Sequence, residues 1–250
     1  MTDLFSLAGR TALITGGSRG IGKMIAAGFI AAGAKVYISA RKEAACRETA
    51  QDLGCVALPA DVSTLPGMEA LAAAYGEHES RLDILVNNAG AAWLAPFDDF
   101  PEKGWDKVMD LNVKTPFYLT QMLAPKLRAA ASHERPAKVI NIASIDGIAV
   151  NPQETYPYAA SKAGLIHLTR RMARTLIADH IVVSAIAPGA FASDMNIAAR
   201  DQAEAVASRV PARRIGTDED MAGAAIYLAS RAGDYVVGAT LTVDGGVAFC

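Results

Sequence analysis

Seven short runs rich in Val and Ile recur along this chain, each apolar at nearly every position: "TALIT" 11–15, "KVYIS" 35–39, "CVALP" 55–59, "DILVN" 83–87, "AKVINIAS" 137–144, "IVVSAIA" 181–187 and "ATLTV" 239–243. A strand with one wet face alternates apolar and polar residues. A run that is apolar throughout needs cover on both faces, as in a parallel sheet. Helical patterns lie between the runs, near 20–32, 41–53, 67–77, 102–130, 158–178 and 218–229. This rhythm predicts an α/β fold: a doubly wound parallel sheet of seven strands with helices on both faces. No linker or repeat interrupts it, so residues 1–250 form a single domain. One stretch breaks the rhythm, about 189–217, where "NIAARDQAEAVASRV" is flanked by Pro188-Gly189 and Pro211. An insertion at the carboxyl end of a strand lies where open α/β sheets bind ligands, and it reads as a substrate lid.

Several classes are set aside early. Hydrophobic residues make up 52% and charged residues 20%, which describes a folded globular chain. The net charge is −2 with the signs interspersed, so nucleic acid is not an expected partner. Cys46, Cys55 and Cys250 are odd in number and form no CxxC pair, as expected of reduced thiols in a cytoplasmic protein. His78, His133, His167 and His180 lack ligand spacing, so no metal is expected. The start "MTDLFSLAGR" has no signal-peptide core, and no run of about 18 apolar residues implies a membrane span.

"TGGSRGIG" 15–22 follows the first apolar run and opens the first helical pattern. In this Rossmann-type context Gly16, Gly20 and Gly22 permit a tight turn, close approach of a pyrophosphate and close packing of helix on sheet. The helix N-terminus then faces the phosphates. Ser18, Arg19 and Ile21 complete the loop. An NAD site usually has an acid at the end of the second strand to hold the ribose 2′-OH. Here "ISAR" puts Ser39, Ala40 and Arg41 there. Arg41 is a guanidinium fork suited to a 2′-phosphate, and Arg19 is a second candidate clamp, so the expected cofactor is NADP.

"YPYAASK" 156–162 holds two tyrosines and one lysine. Tyr158 and Lys162 are four apart and share a helix face, whereas Tyr156 has Ala160 at that spacing. Pro157 favours an extended Tyr156, which starts the helix near Tyr158. A free tyrosine, with a pKa of about 10, is a poor acid-base group at neutral pH. A neighbouring ammonium and a positive nicotinamide ring favour the phenolate and lower that value. Such a tyrosine can protonate a carbonyl oxygen as hydride reaches the carbon. Ser144, ending the fifth run, can hydrogen-bond the same oxygen.

With these motifs go "ADV" 60–62, "NNAG" 87–90, "LNV" 111–113, "IAS" 142–144, "APG" 187–189 and "DGG" 244–246. Together they resemble the short-chain dehydrogenase/reductase family over essentially the whole chain, nearest its 3-oxoacyl reductase branch, including the rhamnolipid-biosynthesis type. The resemblance implies a tetrad of Asn112, Ser144, Tyr158 and Lys162. Tyr158 is then the acid/base and Ser144 polarises the carbonyl. Lys162 binds the nicotinamide ribose and lowers the tyrosine pKa, and Asn112 holds a water in a proton relay. It also implies that Asp61 and Val62 meet the adenine, that Asn88, Ala89 and Gly90 line the cofactor cleft, and that Pro188 and Gly189 flank the nicotinamide. Ser193 stands where the family often has a carboxamide-binding Thr. A homotetramer is implied as well.

The substrate is less legible. Trp93, Leu94, Ile145, Phe191 and Met195 read as an apolar pocket wall, with Asp146 a polar exception, which suits a hydrophobic ketone. Carrier-linked reductases of the family dock an acidic protein on basic residues, one of them in the turn after the catalytic helix. Here that turn is "ADHI", with Asp179, a charge that repels an acidic partner. Arg128 points the other way. The expectation is an NADPH-dependent reductase of hydrophobic ketones. A 3-oxoacyl thioester reductase is the alternative and a non-catalytic NADP sensor a third reading.

Overall fold

A computed structural model describes residues 2–194 and 196–250. Seven parallel strands form one sheet: β1 (Thr11–Thr15), β2 (Lys35–Ser39), β3 (Val56–Ala57), β4 (Ile84–Asn87), β5 (Ala137–Ile142), β6 (Ile181–Pro188) and β7 (Thr240–Val243). Their order is β3-β2-β1-β4-β5-β6-β7. The chain runs outward from β1 to β3 and restarts on the other side at β4. The crevice between the carboxyl ends of β1 and β4 is therefore the topological switch point, where such sheets bind ligands.

The strands are apolar throughout because both faces are covered. Ala12 and Ile14 of β1 face one core, with Ile25 and Phe29 of α1 (Gly20–Ala31), Cys46 of α2 (Glu43–Leu53) and Met221 of α9 (Asp218–Ala229). Leu13 faces the other core, with Leu71 of α3 (Leu65–His78), Leu123 of α5 (Thr115–Ala130) and Met172 of α6 (Tyr156–Leu176).

Four elements depart from the sequence expectation. β3 is two residues long rather than five, since Pro59 has no N–H to extend the ladder. The pattern at 102–130 is not one helix. It is α4 (Glu102–Met109), a π turn over Asp110–Lys114, then α5 with a proline in its first turn. Helix α6 begins at Tyr156, not Tyr158, because Pro157 sits in the first turn, where no N–H is missed. The insertion after β6 holds two short helices, α7 (Ile197–Asp201) and α8 (Ala203–Ala207). Its neck is closed by a bridge between Phe191 and Gly216, with the Gly216 N–H donating to the Ala190 carbonyl at 2.8 Å.

Candidate active site

The glycine loop is locked to the end of β4. Asn88 Nδ2 donates to the carbonyls of Thr15 (2.8 Å) and Gly16 (3.1 Å), and the Asn88 N–H donates to Thr15 Oγ1 at 3.0 Å. The Ala89 N–H shares that hydroxyl at 3.0 Å. A Cβ on Gly22 would lie 2.2 Å from the Gly16 carbonyl oxygen, so helix α1 can approach the loop only as glycine. Gly16 itself has a φ of +66°. The Gly17 N–H donates to the Ser39 carbonyl at 3.1 Å, which joins the loop to the end of β2. At that corner Arg41 is exposed, and among the described residues the buried Ser39 hydroxyl has no hydrogen-bond partner. An orphaned hydroxyl beside a free guanidinium, with no acid in between, fits a phosphorylated ribose. Ser18 and Ile21 are half-buried, and the Ser18 carbonyl accepts from Thr49 Oγ1 at 2.9 Å. Arg19 is not free. It is ion-paired to Asp194.

Asp61 Oδ1 accepts from Ser63 N (3.1 Å) and Ser63 Oγ (2.7 Å) in a turn before α3. The Val62 side chain is buried, and its carbonyl accepts from Thr115 Oγ1 at 2.7 Å. Pro188 ends β6, and the Gly189 N–H donates to the Val243 carbonyl at 2.9 Å. Ser193 rests on the glycine loop, since a Cβ on Gly20 would lie 3.2 Å from its Cβ. Its hydroxyl accepts from the Asn196 N–H at 3.1 Å.

Ser144, Tyr158 and Lys162 converge at the carboxyl end of β5. Lys162 Nζ lies 5.5 Å from the Tyr158 ring centroid and donates to the Ile142 carbonyl at 2.7 Å. Burial pushes Tyr158 up to about 12, an effect the Ser144 hydrogen bond offsets in part and the Asp146 charge reinforces. Burial brings Lys162 down to about 8, with Asp146 acting against it. The expectation that the lysine lowers the tyrosine pKa is therefore not met by the chain itself. Burial dominates, and the tyrosine stands protonated, as an acid.

Asn112 lies in the π turn, a distortion common at functional sites. Its side chain makes three hydrogen bonds. Oδ1 accepts from the Ala91 N–H, while Nδ2 donates to the Ala91 carbonyl and to Ser161 Oγ, each at 2.9 Å. The side chain thus ties the loop after β4 to α6, with both amide protons used and one lone pair of Oδ1 open to a water. Gly90 sits beside it, and a Cβ there would be 3.7 Å from Lys162 Nζ. Two strand asparagines, not singled out in the sequence, extend this polar zone. Asn87 Nδ2 donates to Thr120 Oγ1 (3.1 Å) and Asn141 Oδ1 (2.9 Å), and Asn141 Nδ2 donates to Thr169 Oγ1 at 2.9 Å. Asparagine inside "ILVN" and "VINI" was the available signal.

The expected pocket wall is largely dispersed. Phe191 is 2% exposed and belongs to the core. Its ring fills the space where a Gly216 Cβ would stand, at 2.3 Å. Trp93 lies on Gly104 of α4, where a Cβ would be 2.7 Å from the indole, with Lys107 Nζ 5.3 Å from its ring. Leu94 is exposed. Ile145 and Asp146 stay beside Ser144, half-buried. Met195 lies outside the described residues. Tyr156 does find a partner after all. Its hydroxyl donates to Glu154 Oε1 at 2.9 Å, and its ring meets Phe97 and Phe100 edge-on. Asp179 and Arg128, read as opposing charges toward a carrier, bind each other at 2.7 Å. Neither is a free charge, so the repulsion expected of Asp179 loses its basis. No helix among the described residues is long and apolar enough to cross a membrane.

Comparison with known proteins adds to this geometry. A family model described as enoyl-(acyl carrier protein) reductase matches residues 16–248. The chain is 50% identical to the rhamnolipids biosynthesis 3-oxoacyl-[acyl-carrier-protein] reductase of Pseudomonas aeruginosa, over 98% of this chain and 99% of that one. It is 38% identical to a 2-dehydro-3-deoxy-D-gluconate 5-dehydrogenase of Dickeya dadantii, over 98% of this chain and 97% of that one. Among solved structures, a Pseudomonas aeruginosa RhlG/NADP active-site complex superposes with a TM-score of 0.96 at 48% identity, covering 100% of both chains.

Proposed function

Since the chain belongs to the short-chain dehydrogenase/reductase family and is thereby an oxidoreductase, we propose that it reduces 3-oxoacyl thioesters with NADPH. The whole-length likeness to a 3-oxoacyl-[acyl-carrier-protein] reductase carries this reading. It favours the thioester over the free hydrophobic ketone first expected. The apolar wall that argued for such a ketone has gone into the core at Phe191 and onto α4 at Trp93.

The roles follow from the chain's own groups. Gly16, Gly20 and Gly22 let the dinucleotide approach the loop, and the start of α1 favours its pyrophosphate. Ser39 and Arg41, joined by Arg19, would hold the 2′-phosphate. Asp61 and Val62 would bound the adenine. Asn88 to Gly90, Pro188, Gly189 and Ser193 would bound the nicotinamide end. Bound NADPH supplies the hydride. Ser144 orients the ketone oxygen and Tyr158, protonated at neutral pH, donates its proton to it. Lys162 holds positive charge near the phenolate so formed. As both amide protons of Asn112 are committed, its side chain can hold a relay water only through Oδ1, which would accept from it.

Exposed Ala160, Ala163 and Gly164 on α6 are small enough for close pairing with a second copy, in keeping with a tetramer, which sedimentation would test. The function is tested by NADPH oxidation with a 3-oxoacyl thioester and an aryl ketone side by side, with Tyr158→Phe as the blank. A Tyr158-dependent kcat/KM much higher for the thioester is expected. A higher value for the ketone would overturn the assignment.

A further inference from the structure

Asp146 neither donates nor accepts the transferred proton, though its charge favours the charged form of Lys162. A carboxylate there opposes ionisation of Tyr158, and Lys162 already has a carbonyl partner in Ile142. Yet its position is tightly fixed. It lies in the 3-10 turn Ile145–Gly147, and its N–H donates to the hydroxyl of Ser144 at 3.1 Å. The next residue, Gly147, is pressed onto α6, where a Cβ would lie 2.6 Å from the Lys162 carbonyl carbon. The backbone of residue 146 is thus trapped between the residue that orients the ketone and the helix that carries the proton donor. The residue is half-buried, so its charge is screened less than that of an exposed carboxylate yet still responds to salt.

We propose that Asp146 is a specificity-determining residue that rejects ketones carrying an anionic group close to the reacting carbonyl and admits those that are neutral there. The proposal rests on the reading of this site as a ketone-reducing one. Like charges held together at a recognition site suppress the wrong partner more than they strengthen the right one. A 3-oxoacyl thioester is neutral around its ketone, whereas a keto acid with its carboxylate near the ketone is not. The Dickeya dadantii relative is named for an anionic sugar-acid substrate.

A matched pair isolates the charge: methyl 3-oxobutanoate, which is neutral, and 3-oxobutanoate, the anion of the parent acid at neutral pH. The readout is the ratio of kcat/KM for anion over ester. Asp146→Asn should raise that ratio about tenfold, equal to about 1.4 kcal/mol. In the wild type, added salt should raise the same ratio by screening the repulsion. A merely structural role would lower both rates together and leave ratio and salt response alone. An unchanged ratio in Asp146→Asn, or a wild-type ratio that falls with salt, overturns the proposal while Tyr158-dependent reduction of the ester leaves the reductase reading standing. If the ester gives no Tyr158-dependent rate, that reading falls and this proposal with it.

Discussion

Arg19 on the glycine loop is bound to Asp194 on the insertion after β6, and Arg200 holds the other oxygen of the same carboxylate at 2.8 Å. The expected phosphate clamp is thus already satisfied by an anion of the chain. A 2′-phosphate would compete with Asp194 for Arg19, which links cofactor choice to the insertion. Asp194→Asn is expected to tighten NADPH binding a few-fold and leave NADH unaffected. Titration of nicotinamide fluorescence measures both, and equal effects on the two cofactors would remove Arg19 from the phosphate site.

Arg41 has no ion-pair partner among the described residues and stands beside the orphaned Ser39 hydroxyl. Losing a charge-assisted contact to phosphate costs about 1.5–3 kcal/mol. Arg41→Ala should therefore raise the Kd for NADPH at least tenfold and that for NADH little. An unaltered preference for NADPH would leave Arg19 as the sole clamp.

Phe191 was expected at the pocket and is found at the neck of the insertion, packed on Gly216. Phe191→Ala should cost about 3–5 kcal/mol of stability, as buried aromatic truncations do. The discriminating measurement pairs the melting temperature with the kcat/KM ratio of thioester to ketone. A lowered Tm with an unchanged ratio supports a core role. A changed ratio at constant Tm would return Phe191 to the substrate.

The fold was legible because strands covered on both faces leave an unmistakable apolar record, as Ala12, Leu13 and Ile14 show by facing alternate cores. The glycine loop was legible for a steric reason, because Gly22 admits no Cβ. What escaped depends on partners distant in sequence. Asn112 looked like a free water ligand, yet Ala91 and Ser161 already take both of its amide protons. Asp179 looked like a repulsive charge until Arg128, 51 residues away, neutralised it. Phe191 looked like a pocket residue because apolar residues near a site and apolar residues beneath it share one composition. Tyr158 ran opposite to expectation because burial, which no spacing reveals, dominates its pKa.

That burial has a consequence for pH. Reduction needs Tyr158 protonated, and at about 12 it remains so throughout the working range. It also needs Lys162 charged, and at about 8 that group loses its proton first. The kcat/KM for reduction is therefore expected to be level below pH 8 and to fall above it, with the break set by Lys162 rather than Tyr158. Alcohol oxidation has the opposite requirement at Tyr158 and should rise with pH while Lys162 keeps its charge. Asp146→Asn removes an anion that favours the charged lysine, so its break should move to lower pH. Profiles of both directions, with saturating cofactor, test this. A reduction rate level beyond pH 9.5 would mean that Lys162 is held charged by something other than the chain.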